Sequence, residues 1–192
     1  MADAPAFESP VVQHYPSPGA GGDLTLSDAS ATTKWLVRAG ADGPTADRLG
    51  ARFGTSQVAP GGALVLGSRP GEWIVLGTAG EVAATVADLD GLEAQEFCSV
   101  LDWTHSRAMF RVTGNDAARM LEKVCGIDWG DHMTPDGAVL SASVALTTCD
   151  LARNDSDGAR SYLIFCDRSF GQYLFDALID AGNEFGIAVR AG

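Results

Sequence analysis

Apolar residues come in short clusters divided by Gly, Pro and acidic positions, and their spacing alternates between strand-like and helix-like. WLVRA at 35–39 reads as a strand. Residues 43–49 open on Gly-Pro-Thr and suit a short helix with Pro44 near its first position. ALVL at 63–66 and WIVL at 73–76 are apolar strands joined by SRPGE, a hairpin turn. EVAATVADL at 81–89 has helical spacing at Val82, Thr85, Val86 and Leu89, and residues 97–101 form a further strand. The order then recurs. Residues 107–113 read as a strand with Phe110 and Val112 on one face. Residues 116–125 read as a helix with Ala117, Leu121 and Val124 in one stripe and Met120 beside it, capped by Thr113 or Asn115. Strands are expected at 138–147 and 160–166, with NDSDG at 154–158 as the turn between them. A helix over 169–181 carries Phe170, Tyr173, Leu174, Ala177, Leu178 and Ala181 on one face, with Gly182 as its C-cap. A short strand at 187–189 closes the chain.

Both parts therefore read strand-helix-strand-strand-helix-strand. This predicts an α+β protein of two tandem split βαβ (ferredoxin-like) units, each sheet covered on one face by two helices. A single continuous α+β domain is the alternative. The expected organisation is an amino-terminal arm over 1–23, a first α+β half over 24–101 and a second over 102–192. The arm, rich in Pro, Gly and Ala, cannot form a core of its own; it is either disordered or laid across a partner, with Val11, Val12 and Tyr15 to bury.

At 192 residues and 46% hydrophobic, the chain can bury a sizeable core. Its 25 acidic against 13 basic residues give a formal charge of −12, which argues against a nucleic-acid partner. The chain shows neither a signal-peptide pattern nor an apolar run near 18 residues, so a cytoplasmic protein without a membrane span is expected. Cys98, Cys125, Cys149 and Cys166 are widely spaced and read as buried thiols in a reducing compartment, with disulfides as the alternative.

The candidate chemistry is sparse. The glycine pairs at 19–22 and 61–62 match neither GxxxxGK[ST] nor GxGxxG, which sets nucleotide binding aside. His132 lies in WGDHMTPDG near Asp128, Asp131 and Asp136, where a solvated acidic loop explains the cluster better than a metal site. Asp102, His105 and Ser106 are close in sequence, yet spacing alone does not make a nucleophile, a base and an orienting acid converge; His105 reads as a structural or interface residue. Asp102 and Asp167 are placed to accept loop amides. Arg107, Arg111, Arg119 and Arg168 are candidates for bidentate contacts across an interface. On these grounds no catalytic, cofactor-binding or metal residue is assigned.

The stretch DWTHSRAMFRVTGNDAARMLEKVC resembles the aminomethyltransferase family, which includes the glycine-cleavage T-protein, through Asp102, Thr104, His105, Gly114, Asp116 and Ala117. It is more similar to the gamma subunits of heterotetrameric sarcosine oxidases, through KWLVRA (34–39), GALVLGSRPGEWIVLG (62–77), DWTHSRAMFRVTG (102–114) and DRSFGQYLFDALIDAG (167–182). The resemblance implies the aminomethyltransferase folate-binding fold. It also implies alpha, beta and delta subunits as partners, in a complex that converts sarcosine to glycine with hydrogen peroxide and formaldehyde or methylene-tetrahydrofolate. FAD, FMN, NAD, zinc and tetrahydrofolate would serve that complex, and none would be held by this chain. The transferases carry their key acid in a GG-x-x-D-D-like segment. The matching region here is GAVLSASVALTTCDLARND, where Asp150 is the nearest acid and both the glycine pair and the acid pair are missing. A non-catalytic subunit is thus expected. The alternative is a small folate-binding one-carbon transfer enzyme using His105, Asp150 and nearby arginines; a folate-sensing or scaffold protein of the same fold is a third reading.

Overall fold

A computed structural model describes residues 6–12, 23–87, 89, 91–92 and 95–190; the remainder of the amino-terminal arm, Tyr15 included, lies outside the described residues. The elements run β1 (Thr25–Asp28), β2 (Thr33–Arg38), α1 (Pro44–Leu49), β3 (Ser56–Val58), β4 (Leu64–Arg69), β5 (Glu72–Gly77), α2 (Ala79–Ala87) and β6 (Ser99–Asp102). They continue with β7 (Arg107–Thr113), α3 (Ala117–Glu122), β8 (Val139–Val144), β9 (Thr147–Arg153), β10 (Ser161–Asp167), α4 (Gly171–Gly182) and β11 (Ala188–Arg190).

The strands form two sheets. One has the order β3-β4-β5-β2-β6, the other β11-β1-β7-β10-β9-β8. In the first, β4-β5-β2-β6 are antiparallel neighbours, the order of a split βαβ pair with β3 added at the edge. The second repeats this with β9-β10-β7 and β11, except that β1 is inserted between β7 and β11, antiparallel to the former and parallel to the latter. By hydrogen bonding, β1 thus belongs with the strands of residues 107–190.

Alternation along each strand sets the layers, because successive side chains point to opposite faces. On one side of the first sheet Val37, Val65, Trp73 and Val75 pack with Leu49 of α1 and Val82 of α2. On the corresponding side of the second, Phe110, Val112, Tyr162 and Ile164 pack with Leu121 of α3 and with Leu174, Phe175 and Leu178 of α4. The remaining faces meet each other. Leu36, Leu66, Ile74 and Leu76 from the first sheet close against Met109, Ala152, Leu163 and Phe165 from the second. The result is four layers, helix-sheet-sheet-helix. A backbone bridge between Thr55 and Ala138, with Val139 N donating to Gly54 O at 2.9 Å, joins the sheets at one corner.

Local signals explain the element ends. Pro44 opens α1, and Pro70-Gly71 turns the β4–β5 hairpin with Gly71 at φ 76°. Thr78 and Glu81 form a reciprocal capping box at α2: Glu81 Oε2 accepts from Thr78 N at 2.8 Å, and Thr78 Oγ1 accepts from Glu81 N at 3.3 Å.

Several expectations are corrected. The single strand expected over 138–147 is the start of a hairpin, β8–β9, whose two-residue loop Ala145-Leu146 has φ of 45° and 65°. Neither residue advertises a type I′ turn, which usually takes Asn-Gly. Neither Thr113 nor Asn115 caps α3: the Thr113 hydroxyl meets Ser161 Oγ at 2.9 Å, and the Asn115 side chain turns to Asp23. The buried face of α4 is rotated from the expected one. Phe175 is fully buried, 5.4 Å from the Phe110 ring, while Phe170 and Tyr173 are about half exposed. Gly182 is helical instead of capping. Its missing Cβ admits Ile187, which would lie 2.5 Å from an added methyl, and the left-handed cap is Gly186.

Leu146 is 94% exposed, so its side chain offers little burial to offset a left-handed backbone. Leu146→Gly is expected to leave stability unchanged or raise it by up to about 1 kcal/mol in urea unfolding, since relief of the αL strain outweighs the added chain entropy.

Candidate functional site

Residues 102–114, which carry part of the family resemblance, run from the end of β6 through a tight turn into β7. The turn is fastened to the start of β2. Trp103 N donates to Lys34 O at 2.7 Å, and Lys34 N donates to Thr104 Oγ1 at 3.1 Å. Asp102 Oδ1 accepts from Thr104 N at 2.8 Å, and Ser106 Oγ donates to Trp103 O at 3.1 Å. His105 is exposed with its ring 5.5 Å from Phe7. Among the described residues no hydrogen bond links Asp102, His105 and Ser106, so the side chains that suggested acyl chemistry do not converge.

Lys34 is the unexpected group beneath this turn. It is buried, and its Nζ donates to Ser30 O at 2.6 Å and Thr32 O at 2.7 Å. Loss of water around the ammonium lowers its pKa from 10.5 to about 8, against the opposing pull of Asp28 and Asp102.

β7 aims Arg107, Met109 and Arg111 toward the facing sheet, because Ala108, Phe110 and Val112 point to the helices. β9 aims Asp150 and Ala152 the same way. Asp150 is thus buried at one end of the intersheet layer, where three donors close on it. Arg107 Nη2 lies 2.8 Å from Oδ2; Arg69 Nη2 lies 3.0 Å from Oδ1, reaching across from the first sheet; Ser141 Oγ donates to Oδ1 at 2.6 Å. Arg107 also pairs with Asp167, its cross-strand neighbour, and its guanidinium sits 5.0 Å from the Trp103 ring centroid. Asp167 is therefore an ion-pair partner, and among the described residues it accepts no loop amide. The network holds the two sheets together electrostatically. Both carboxylate oxygens of Asp150 already accept from donors inside the fold, an arrangement that suits an intersheet tie better than an acid open to a folate-bound carbon.

Partners within the chain occupy the other proposed interface arginines too. Arg119 pairs with Asp116 at 2.8 Å and lies over Phe185, while Arg168 donates to Glu8 O and lies over Phe7. Residues 6–12 run along the amino-terminal end of α4: Val11 is buried, and Val12 N donates to Gln172 Oε1 at 2.7 Å. In the acidic loop, Asp131 is held by Arg153 and Arg160, Asp136 accepts from Asp155 N at 2.9 Å, and exposed His132 faces Asp128 at 3.3 Å. Among the described residues no group of three or more His, Cys, Asp or Glu is arranged to hold a metal. The four cysteines are free. Burial pushes the Cys149 thiol up to about 12 and Cys166 to about 11, which removes both as nucleophiles at neutral pH. A groove of about 830 Å³ beside α1 is lined by Asp42, Asp47, Arg52, Phe53, Arg69 and Trp73.

Residues 63–191 match the family model of the GCVT N-terminal domain. The chain belongs to that family. No curated protein matches it. Among solved structures, it is similar to a chain of the heterotetrameric sarcosine oxidase from Corynebacterium sp. U-96, described in complex with pyrrole 2-carboxylate. The identity is 24% and the TM-score 0.72, with 88% of this chain and 90% of that chain covered. It is also similar to the glycine cleavage system aminomethyltransferase T from Bartonella henselae, at 14% identity and TM-score 0.64, covering 88% of this chain and 48% of that one. The chain thus spans about half the length of that transferase. These likenesses bear out the expected fold: two split βαβ units in the aminomethyltransferase arrangement. Within the described residues no helix is long and apolar enough to cross a membrane.

Asp150→Ala is expected to destabilise the protein by about 3 kcal/mol in urea unfolding, since two guanidiniums lose their shared partner. Combining it with Arg107→Met should cost less than the two single changes summed, as a double-mutant cycle would register. Lys34 gives a pH test. The unfolded lysine holds its proton to higher pH than the folded one, so this group's contribution to stability rises between about pH 8 and 10.5. In the protein with methyl-labelled lysines, of which there are only Lys34 and Lys123, one resonance should titrate near pH 8 and disappear in Lys34→Arg.

Proposed function

We propose that this chain is a non-catalytic, gamma-type subunit of a heterotetrameric sarcosine oxidase-like assembly, working in the cytoplasm with alpha, beta and delta subunits. The observation that carries this reading is the closure of Asp150. The acid nearest to the transferase position faces two guanidiniums and a hydroxyl inside the fold instead of a substrate cavity. The GCVT N-terminal match and the likeness that covers most of a sarcosine oxidase chain support the same assignment. In such an assembly FAD, FMN, NAD, zinc and tetrahydrofolate are bound by the other chains. This chain supplies a rigid four-layer body to the complex that oxidatively demethylates sarcosine to glycine.

Native purification after co-expression with its genomic neighbours tests the proposal. The expected result is one complex containing this chain and larger subunits, with flavin absorbance in the complex and none in the isolated chain. Full activity of an assembly purified without this chain overturns it. Micromolar tetrahydrofolate binding by the isolated chain, lost in Asp150→Asn, would favour the small one-carbon transfer enzyme instead.

A further inference from the structure

Arg107 and Arg111 stand four residues apart on the same face of β7, at opposite ends of the intersheet layer, and differ in what they face. Arg107 meets two carboxylates. Arg111 meets neutral groups: its Nη1 donates to Ser161 Oγ at 2.7 Å and Asn154 O at 3.3 Å, and its Nη2 to Asn154 Oδ1 at 3.1 Å. Among the described residues no carboxylate lies within ion-pair distance of it, in a chain with 25 acidic residues, whereas Arg69, Arg107, Arg153 and Arg160 all have one. Burial also lowers the Arg111 pKa, the mark of a cation short of water and of counter-charge.

The three bonds to Asn154 and Ser161 use both hydrogens of Nη1 and one of Nη2. They fix the plane of the guanidinium and, among the described residues, leave Nε–H and the second Nη2 hydrogen, the side-on edge that fits both oxygens of a carboxylate. Beside Arg111 the two sheets part into a slot of about 300 Å³, walled by Leu64 and Leu76 from one sheet and Met109 and Leu163 from the other, with Asn154 at the same end. An apolar slot with a single oriented cation is the pattern of a site for an amphiphilic anion, in which the walls take the body and the cation fixes the head.

We propose that this slot binds a compact, largely apolar monocarboxylate, with Arg111 receiving the carboxylate side-on and the intersheet leucines and Met109 enclosing the apolar body. The proposal is independent of the assembly reading, since the slot lies at the far end of β7 from Asp150. The carboxylate can belong to a free small molecule or to an acidic side chain of a neighbouring subunit; the experiment separates the two.

The test is a titration of the full chain with benzoate, followed by methyl NMR of Leu64, Leu76, Met109 and Leu163, with benzamide as the uncharged analogue. Saturable shifts of these methyls at millimolar benzoate, absent with benzamide, are expected. Arg111→Met should weaken binding about tenfold or more. Ala29→Leu, which fills the slot without touching the guanidinium contacts, should abolish binding even if Arg111→Met fails to fold. Equal response to benzoate and benzamide, no saturable shift, or unchanged binding in a folded Arg111→Met protein would overturn the proposal. In the co-purified assembly, continued benzoate binding supports a free ligand, while loss of binding there alone assigns the slot to a partner's side chain.

Discussion

The central strands are apolar on both faces, and everything else follows from covering them twice. Runs such as WIVL in β5 and YLIF in β10 cannot leave either side to water. Each sheet therefore takes helices on one face and the other sheet on its second. The intersheet layer is apolar along its middle, where Leu36, Ile74, Met109, Leu163 and Phe165 pack together. Polar side chains enter it only toward the ends. A carboxylate placed there, as Asp150 is, must find donors inside the protein, because an unpaired buried charge is costly. Two guanidiniums and a hydroxyl meet that demand, so both carboxylate oxygens are engaged inside the fold.

Positive charge in this acidic chain is carried almost wholly by arginine, with eleven arginines and two lysines. The planar fork of arginine can hold two acceptors at once, which lysine cannot do with the same geometry. Arg153 shows the use: it binds Asp155 through Nε and Nη2, reaches Asp131 and Thr134 O through Nη1, and so pins the 131–136 loop to β9. Lysine appears at the one buried position where a compact ammonium suits two backbone carbonyls, beneath the turn that joins the two repeats.

Much of this architecture is legible in the sequence. Long apolar strands, Pro-Gly and Asp-Gly turns and the repeated element order point to paired split βαβ units, which the structure contains. The failures have physical causes. β1 is short, and three of its four residues, TLSD, are polar; only its place between β7 and β11 makes it a strand. The β8–β9 turn is imposed by pairing on Ala145 and Leu146, residues with no turn preference of their own. In α4, aromatic residues occupy both faces, so periodicity alone could not choose Phe175 over Phe170 and Tyr173. The site was least legible of all. Asp150 could be named from the resemblance, but its sealing depends on Arg69, distant in sequence and brought near by the packing of the sheets. Lys34 gave no signal, since a single lysine at a strand start is ordinary until its surroundings are known.

The place of β1 has a consequence for how the chain reaches this state. During synthesis these four residues emerge before any of their partners, and β11, on their far side, is made last of all the strands. The first sheet can be completed from a contiguous stretch, whereas the second must recruit a strand from near the start of the chain. Closing that long loop carries an entropic cost that local pairing does not. Assembly therefore has a built-in order, local sheet first and threaded sheet second, and a fragment beginning at β7 would lack a central strand that a peptide spanning residues 23–30 could restore in trans.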